Sequence, residues 1–214
     1  MFIAIEGTDG CGKTTIRKHL HHTLRENGAD VLTLQGQSWL NPRSTEVITN
    51  AKYHRMPYPA EVILSAMVEE KEAMSDRIVL PHRPWRYIIS DRYTLSDVVY
   101  GAELWGIPVE STLRAFVDSR VVQPDLVLFI DTPVDIAWRR LNERPKANRH
   151  PWDVQQVQRR LYELFQDSLE RYRALAPVVR VDNSGVLADT LGRLPAVTPP
   201  RSAPGAIAGK EQSR

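Results

Sequence analysis

The sequence predicts an α/β protein: a three-layer α/β/α sandwich with a five-stranded parallel sheet and a helical lid. Five short apolar runs, typical of buried strands, alternate with longer segments of helical periodicity. The first strand, the first helix and the second strand follow one another within residues 2–34, and such a unit requires a parallel sheet with a right-handed crossover. A glycine-rich turn separates that first strand from its helix.

Each predicted strand is a run of apolar and often β-branched residues. Phe2-Ile3-Ala4-Ile5 is the first of them, and Leu126-Val127-Leu128-Phe129-Ile130 is the most apolar. Polar residues follow directly after several strands, at the edge of a parallel sheet where ligands bind. We place the five strands at residues 2–5, 31–34, 86–90, 126–130 and 178–182.

The helices are predicted from apolar residues that recur every three or four positions and from stop signals. Ile16, Leu20 and Leu24 form one such stripe on the first helix. Pro81 and Pro84 are expected to end the long third helix. We place helices at residues 14–27, 44–52, 60–80, 94–104, 110–121, 134–142, 152–174 and 186–194.

Composition argues against several classes of protein. Lys and Arg total 28 against 26 Asp and Glu, a net charge of +2, so we expect no nucleic-acid partner. Cys11 is the single cysteine and cannot form an internal disulfide. Because no apolar run reaches roughly 18 residues and no signal peptide precedes the first strand, we expect a soluble cytoplasmic protein with no membrane partner. The sequence leaves the oligomeric state open, a homodimer included.

Residues Gly7 to Thr14 read G-x-x-x-x-G-K-T, the phosphate-binding loop of P-loop NTPases. Its glycines let backbone N–H groups surround phosphate oxygens, and Lys13 supplies a mobile ammonium. The Thr14 hydroxyl is placed to bind Mg²⁺. The predicted ATP-binding residues of this loop are Gly7, Thr8, Asp9, Gly10, Cys11, Gly12, Lys13, Thr14 and Thr15.

Asp91 and Arg92 follow the third strand, at the sheet edge where the phosphate loop also lies. The aspartate can hold Mg²⁺, and the arginine can bind a second phosphate with two hydrogen bonds. Asp131 ends the fourth strand and is the rival metal ligand. We favour Asp91, because the Thr-Pro after Asp131 indicates a helix start that this aspartate would cap. Arg43, beyond the second strand, is a further phosphate-binding candidate.

A basic segment bounded by prolines, residues 143–151, lies between two predicted helices. With Arg139 and Arg140 before it, this segment offers cations that could close over phosphates, and we predict a mobile lid that excludes water. After residue 194 the composition shifts to Pro, Ala, Gly and Ser, which predicts a disordered tail at residues 195–214. We therefore expect one P-loop domain over residues 1–194.

Three motifs resemble the thymidylate kinase family in sequence, order and spacing, over about residues 1–190. The resemblance implies the fold of the P-loop nucleoside monophosphate kinases, with ATP and Mg²⁺ required and small nucleotides as substrates. The motifs are the opening run Phe2 to Thr15, the signature Asp91-Arg92-Tyr93-Thr94-Leu95-Ser96 followed by Tyr100, and Pro124-Asp125-Leu126 through Asp131-Thr132-Pro133.

The resemblance also implies roles by position. Asp9 matches the acid near the acceptor sugar and Mg²⁺, Arg92 the arginine that contacts the acceptor phosphate, and Tyr100 the aromatic residue that packs against the deoxyribose. Arg140, Arg144 and Arg149 fall where ATP-side and lid arginines lie. The predicted catalytic residues are Lys13, Arg92, Asp9, Arg144 and Arg149. The predicted acceptor-binding residues are Asp9, Arg43, Met67, Lys71, Arg92, Ser96 and Tyr100.

The sequence departs from the family around the acceptor base. The family's third helix carries an aromatic residue that stacks on thymine and an arginine four residues later, where this chain has Met67 and Lys71. The family's Arg-Glu-Pro-Gly-Gly-Thr after the second strand is absent, and Asp97 begins a stretch where an amide or threonine is frequent. A flexible apolar surface and a point charge recognise a flat base weakly, so we expect little discrimination between thymine and uracil.

These motifs predict ATP-dependent, Mg²⁺-requiring phosphorylation of a pyrimidine deoxynucleoside monophosphate, with dTMP as the leading acceptor. One alternative is a kinase of a nucleoside or of a modified nucleotide in a specialised pathway. A distant alternative is a nucleotide-binding switch, although the sequence contains no Asn-Lys-x-Asp motif. ADP production that depends on an added acceptor separates both kinases from the switch.

Overall fold

A computed structural model of the chain describes residues 1–143 and 152–195. Its centre is a five-stranded sheet in the order β2-β3-β1-β4-β5. Every pairing between neighbouring strands is parallel, which confirms the predicted sheet. The strands are β1 (Phe2–Glu6), β2 (Val31–Gln35), β3 (Tyr87–Asp91), β4 (Leu126–Asp131) and β5 (Val178–Asp182).

β1 lies in the middle of the sheet because both of its faces are apolar. Phe2, Ile3, Ala4 and Ile5 are all 0% exposed. Phe2 and Ala4 pack into the core on one face of the sheet, and Ile3 and Ile5 pack into the core on the other. A strand buried on both faces requires helices on both sides, so this alternation accounts for the predicted three-layer sandwich.

Helix α1 covers one face of the sheet, where its stripe of Ile16, Leu20 and Leu24 packs with Ile3 and Ile5. Helices α5 and α8 contribute to the core on the opposite face. Within the described ranges the helices are α1 (Lys13–Glu26), α2 (Pro42–Lys52), α3 (Ala60–Met74), α4 (Leu80–His82), α5 (Thr94–Trp105), α6 (Val109–Val117), α7 (Val134–Asn142), α8 (Gln155–Tyr172) and α9 (Leu187–Gly192).

The long third helix does not end where Pro81 was expected to end it. Helix α3 stops at Met74, a π-helical turn spans Ser75–Val79, and α4 then runs through Pro81. Pro81 lies in the first turn of α4, where a missing N–H removes no hydrogen bond within that helix. The helical run therefore continues two residues past its predicted end at residue 80 and ends at His82, before Pro84.

The helix predicted at residues 110–121 is also shorter than expected, since α6 ends at Val117. Beyond it the backbone turns to side chains at the end of α3. The Arg120 N–H donates to Glu72 Oε1 at 3.1 Å, and the Val122 N–H donates to Ser75 Oγ at 2.9 Å. These contacts replace the hydrogen bonds that a longer helix would make.

Two predicted features fall on residues outside the described ranges: the lid, from residue 144 to 151, and the tail, from residue 196 onward. Within the described residues, no helix combines the length and the apolar character needed to cross a membrane. The carboxyl ends of all five strands share one edge of the sheet. The residues that follow β1 and β3 therefore meet at that edge.

Candidate active site

A cavity of about 410 Å³ opens at the carboxyl edge of the sheet. Its wall joins the phosphate loop to side chains from α2, α3 and α5. Most of the residues predicted to bind the acceptor or the metal lie there, whereas Arg43, Lys71 and Arg140 do not line it. The predicted site residues on this wall are Asp9, Gly12, Lys13, Thr14, Met67, Asp91, Arg92, Ser96 and Tyr100.

The glycines of the phosphate loop lie where no side chain fits. Gly10 has a φ of +81°, and a Cβ atom there would lie 2.1 Å from the backbone oxygen of Ala137. Gly12 has a φ of +101° and directly precedes Lys13, the first residue of α1. No side chain of the described residues caps this end of α1. Its N–H groups are therefore available to an anion.

The Lys13 ammonium folds back over the loop. Its Nζ donates to Thr8 O at 2.7 Å and to Gly7 O at 3.1 Å. A phosphate oxygen is a stronger partner for an ammonium than a neutral carbonyl is, because both groups are charged. This position suits the predicted contact of Lys13 with phosphates, which stays a prediction.

Asn183 and Thr132 hold the phosphate loop, and sequence reasoning missed both. Asn183 Nδ2 and Thr132 Oγ1 donate to the Cys11 carbonyl, at 2.7 Å and 2.9 Å. Thr190 Oγ1 donates to Asn183 Oδ1 at 3.0 Å and so fixes the orientation of the amide. Thr8 and Cys11 are themselves buried. The available signal was position, since Thr132 and Asn183 follow strands β4 and β5 directly.

Thr14 and Asp91 lie side by side at the phosphate-loop end of the cavity. Thr14 Oγ1 donates to Asp91 Oδ2 at 3.4 Å, and Arg17 Nε lies 3.6 Å from the same oxygen. One hydroxyl and one carboxylate fit Mg²⁺, which takes its other ligands from phosphates and water. The described residues contain no group of three or more acidic, His or Cys side chains that could hold a metal alone, and a phosphate-bound Mg²⁺ needs none.

Asp131, the rival metal ligand, has different partners. Its Oδ1 accepts from Tyr162 OH at 3.0 Å and from Gln166 Nε2 at 3.2 Å, and its Oδ2 lies 3.5 Å from Arg180 Nη1. It is not on the cavity wall, and the N-cap of α7 is Pro133. The expectation that Asp131 caps α7 was wrong, because α8 and β5 bind its carboxylate instead.

Asp9, Arg92 and Tyr100 form one hydrogen-bonded cluster. Arg92 Nη2 donates to Asp9 Oδ1 at 2.6 Å and to Tyr100 OH at 2.9 Å, and Tyr100 OH donates to Asp9 Oδ2 at 2.8 Å. Arg92 Nη1 donates to Gly7 O at 2.9 Å and to Ser96 Oγ at 3.0 Å. The cluster therefore ties the phosphate loop to α5 across the cavity.

Mutual attraction keeps Asp9 and Arg92 of this cluster ionised. Burial raises the pKa of Asp9, but the charges of Arg92 and Lys13 and the hydrogen bond from Tyr100 hold that pKa well below its ordinary value. Burial lowers the pKa of the Arg92 guanidinium, but Asp9, Tyr100 and Glu6 together raise it by more than burial lowers it. Asp9 and Arg92 are consequently both charged at neutral pH and form a pair of zero net charge.

Arg92 has an uncommon backbone conformation. Its φ of +73° lies in the left-handed region that favours glycine. Gly36 leaves room for it, since a Cβ atom at Gly36 would lie 3.0 Å from Arg92 Cβ. Buried Glu6 fixes the turn that follows, by accepting from Tyr93 N at 2.8 Å and from Ser96 N at 3.2 Å. Strain of this kind is retained where the surrounding structure determines the conformation, and it is frequent at functional sites.

Lys71, which the resemblance assigns to the acceptor base, does not line the cavity. It is 1% exposed, its Nζ donates to Gly36 O at 2.6 Å, and it lies 2.8 Å from Asp97 Oδ2. Burial raises the pKa of Asp97, while the Lys71 charge lowers it. Met67, one turn earlier on α3, does line the cavity. The structure thus brings one of the two predicted base-facing residues to the site.

Helix α3 also fixes the loop after β2 through the buried side chain of Glu70. Glu70 is 0% exposed, and its Oε1 accepts from Ser38 Oγ at 2.6 Å and from Trp39 N at 2.9 Å. The loop carries Gln37 and Trp39 onto the cavity wall. Glu70 and Lys71 therefore shape the acceptor side by anchoring this loop.

Lys52, Trp105 and Trp152 also line the cavity, and sequence reasoning missed them. Lys52 Nζ lies 5.1 Å from the centre of the Trp152 ring. Trp152 Nε1 donates to Asp9 Oδ2 at 3.3 Å, and the ring of Tyr100 meets the Trp152 ring edge-on at 6.2 Å. The available signal was the amphipathic character of tryptophan, which suits a site that is partly apolar and partly wet.

The other arginines predicted to bind phosphates differ in their distance from the cavity and the phosphate loop. Arg43 is exposed at the start of α2 and does not line the cavity. Arg140 lies beside the phosphate loop, since a Cβ atom at Gly12 would lie 4.0 Å from its Nη1. Arg144 and Arg149 lie outside the described residues. The position of Arg140 suits its predicted ATP-side role, which stays a prediction.

Comparison with known protein families matches residues 5–183 to the family described as thymidylate kinase. The chain is 30% identical to the thymidylate kinase of Thermosipho africanus over 149 residues, which cover 67% of this chain and 72% of the relative. It is 29% identical to that of Xanthomonas campestris pv. campestris over 188 residues, 87% and 75% of the two chains. For Rickettsia typhi the identity is 27% over 175 residues, 80% and 84% of the two chains. The chain belongs to the thymidylate kinase family.

Proposed function

We propose that this protein is an ATP-dependent thymidylate kinase, which transfers the γ-phosphoryl group of ATP to dTMP and releases dTDP and ADP. The observation that carries the proposal is a single cavity joining Lys13 of the phosphate loop to the cluster of Asp9, Arg92 and Tyr100. Donor and acceptor phosphates bound at these two ends would meet directly. Transfer then needs no covalent intermediate with the enzyme.

On the donor side, the loop N–H groups and Lys13 bind the triphosphate. Lys13 already lies over the loop, within hydrogen-bond distance of two of its carbonyls. Its ammonium stabilises the negative charge that shifts toward the leaving ADP as the phosphoryl group moves. Arg140 adds a second cation near Gly12.

Thr14 and Asp91 are the residues that would hold Mg²⁺ on the donor phosphates. When bound, the ion supplies positive charge that screens the phosphate oxygens from one another. Arg17, 3.6 Å from Asp91 Oδ2, orients this carboxylate. Asp131 has no part in this role, since its oxygens are bound by α8 and β5.

The nucleophile is an oxygen of the acceptor phosphate. Because the second pKa of a phosphate monoester is about 6, this oxygen is largely deprotonated at neutral pH and needs no general base. Its lone pair forms the bond to the γ-phosphorus while the bond from that phosphorus to the bridging oxygen of ADP breaks. The protein contributes orientation and charge stabilisation.

On the acceptor side, Arg92 contacts the phosphate, while Asp9 and Tyr100 face the sugar. The hydrogen bonds among these residues set their orientation before the acceptor binds. Ser96 holds Arg92 from α5 at 3.0 Å. A preorganised cluster of this kind keeps the acceptor oxygen aligned with the donor.

Met67 offers the base a flexible apolar surface, and Lys71 is occupied by Gly36 and Asp97. The base is therefore held mainly by shape. One methyl group in an apolar pocket contributes about 1–3 kcal/mol of discrimination. We accordingly expect dUMP to be a substrate as well as dTMP.

A screen of ADP release with Mg²⁺ and ATP, across nucleosides and nucleoside monophosphates, tests the proposal. We expect dTMP or dUMP to give the highest turnover and no ADP release without an acceptor. Turnover with unphosphorylated nucleosides alone would contradict the proposal in favour of a nucleoside kinase. Hydrolysis of ATP that no acceptor accelerates would contradict it in favour of a switch.

A further inference from the structure

Three aspartates near the cavity wall are each paired with a basic residue. Asp9 lies 2.6 Å from Arg92 Nη2, and Asp97 lies 2.8 Å from Lys71 Nζ. The third, Asp91, lies 3.6 Å from Arg17. The Arg92 guanidinium also has four protein acceptors on its two terminal nitrogens. An acceptor phosphate that reaches Arg92 thus meets a pair of zero net charge.

Lys52 is a different kind of cation. It is the last residue of α2, it is half-buried, and it lines the same cavity. Its Nζ lies 5.1 Å from the centre of the Trp152 ring. Among residues 1–143 and 152–195, no carboxylate oxygen lies within 4.0 Å of this ammonium and no hydrogen bond occupies it. Its charge is therefore uncompensated by a direct partner.

The surroundings of Lys52 place it near the acceptor cluster. Burial lowers its pKa, as does the nearby charge of Arg92, while Asp9 and Asp97 act in the opposite direction. A fully solvated surface lysine would not feel these groups so strongly. Trp152, which supports the ammonium, is itself hydrogen-bonded to Asp9. Lys52 thus belongs to the network around Asp9 and Arg92.

We propose that Lys52 forms an anion-binding subsite of the acceptor side and holds the phosphate of the acceptor nucleotide together with Arg92. This inference rests on the proposed function, since it assumes an acceptor that carries a phosphate. Such a phosphate has a charge of about −1.5 to −2 at pH 7. The Asp9–Arg92 pair fixes the direction of the hydrogen bonds, and Lys52 supplies the positive charge. Its ammonium has three donors, so contact with the Trp152 face leaves others for phosphate oxygens.

The test compares three variants of the full-length chain with the wild type. Lys52→Met removes the charge and keeps a long apolar side chain, Lys52→Arg keeps the charge, and Lys18→Met removes a charge from an exposed position on α1. For each, calorimetry or competition gives the dissociation constants of dTMP and of thymidine, and steady-state kinetics gives KM for dTMP and for ATP. Thermal unfolding reports whether each variant folds.

We expect Lys52→Met to weaken dTMP binding about 10- to 100-fold and to leave thymidine binding and KM for ATP unchanged. Lys52→Arg should recover most of the affinity, and Lys18→Met should match the wild type. Equal weakening of dTMP and thymidine would overturn the inference by placing Lys52 at the nucleoside. A change in KM for ATP alone, or no change in either affinity, would overturn it as well.

The same measurements separate this inference from the proposed function. If the wild-type enzyme phosphorylates dTMP and Lys52→Met binds dTMP as tightly as the wild type does, Lys52 does not bind the acceptor phosphate, and the proposed kinase function still holds. If the wild-type enzyme binds thymidine as tightly as dTMP and transfers phosphate only to thymidine, both the Lys52 inference and the proposed function are contradicted.

Discussion

The donor and acceptor ends of the cavity are built in different ways. At the donor end, one contiguous run from Gly7 to Thr14 supplies backbone N–H groups and a lysine. At the proposed acceptor end, Asp9 of the same run is joined by side chains from separate elements: Arg92 after β3, Lys52 from α2, Met67 from α3 and Tyr100 from α5. One short motif therefore builds the donor end. At the acceptor end, each side chain from a separate element can be substituted without altering the others.

This difference predicts two kinds of mutational effect. A change at the donor end should remove transition-state stabilisation and lower kcat, because the phosphates of ATP are the reacting groups. A change at the acceptor end should alter affinity, selectivity or stability, because those residues position a substrate and anchor a loop. Substitutions at the two ends test whether their effects differ in this way.

The largest effect is expected from Lys13→Met. Loss of the ammonium over the phosphate loop should lower kcat about 10²- to 10³-fold, with the fold retained. The measurement is kcat at saturating ATP and dTMP, together with thermal unfolding. Lys18→Met, on the exposed face of the same helix, should leave both unchanged. An inactive Lys13→Met variant that had also unfolded would speak against a catalytic role for this lysine.

Lys71→Met should act on stability. Removing Lys71 leaves the Asp97 carboxylate without the charge that compensates its burial, and the expected loss is about 3 kcal/mol in the free energy of unfolding. Urea titration measures this loss. Adding Asp97→Asn should recover part of it, because the pair acts as a unit. A Lys71→Met variant that is as stable as the wild type but has an altered ratio of kcat/KM for dTMP over dUMP would instead indicate that Lys71 contacts the base.

Asp91→Asn and Asp131→Asn are matched variants, because these aspartates end strands β3 and β4, which lie on either side of β1. Asp91→Asn should raise the Mg²⁺ concentration for half-maximal activity by about tenfold, because its carboxylate lies beside Thr14. Asp131→Asn should leave that concentration unchanged, since its partners are Tyr162, Gln166 and Arg180. A larger increase of this Mg²⁺ concentration in Asp131→Asn than in Asp91→Asn would identify Asp131, and not Asp91, as the metal ligand.

The smallest effect is expected from Met67→Phe. A ring at this position can stack on the base and should raise the ratio of kcat/KM for dTMP over dUMP by about two- to tenfold. Met56→Phe introduces the same ring at an exposed site away from the cavity and serves as the control. An unchanged ratio in Met67→Phe would show that this residue does not face the base.

Much of the fold could be predicted because its signals are local. Runs of apolar residues identify all five strands, and the predicted residues 2–5 differ from β1 only by Glu6. The error at Pro81 has a local cause too, but a π-helical turn has no distinct hydrophobic period and leaves no mark in the sequence.

Site residues in contiguous motifs could be predicted from the sequence, whereas residues that tertiary packing brings to the site could not. Contiguous motifs indicated Lys13 and Arg92, since strand, loop and helix follow one another there. Asn183 was missed because it reaches the phosphate loop only through the folding of a strand 172 residues away. Lys71 was assigned to the base because helical position gives the direction of a side chain, while its partners Gly36 and Asp97 come from tertiary packing.

In the proposed reaction, one cavity holds the donor and the acceptor at the same time. A compound that links adenosine to thymidine through a chain of five phosphates tests it most directly, because it fills both ends at once. We predict that this compound binds about 10²-fold or more tightly than either ATP or dTMP, excludes both, and loses this advantage in Lys13→Met. Binding no tighter than that of the better of the two nucleotides, or displacement of only one of them, would show that the two substrates do not share one cavity.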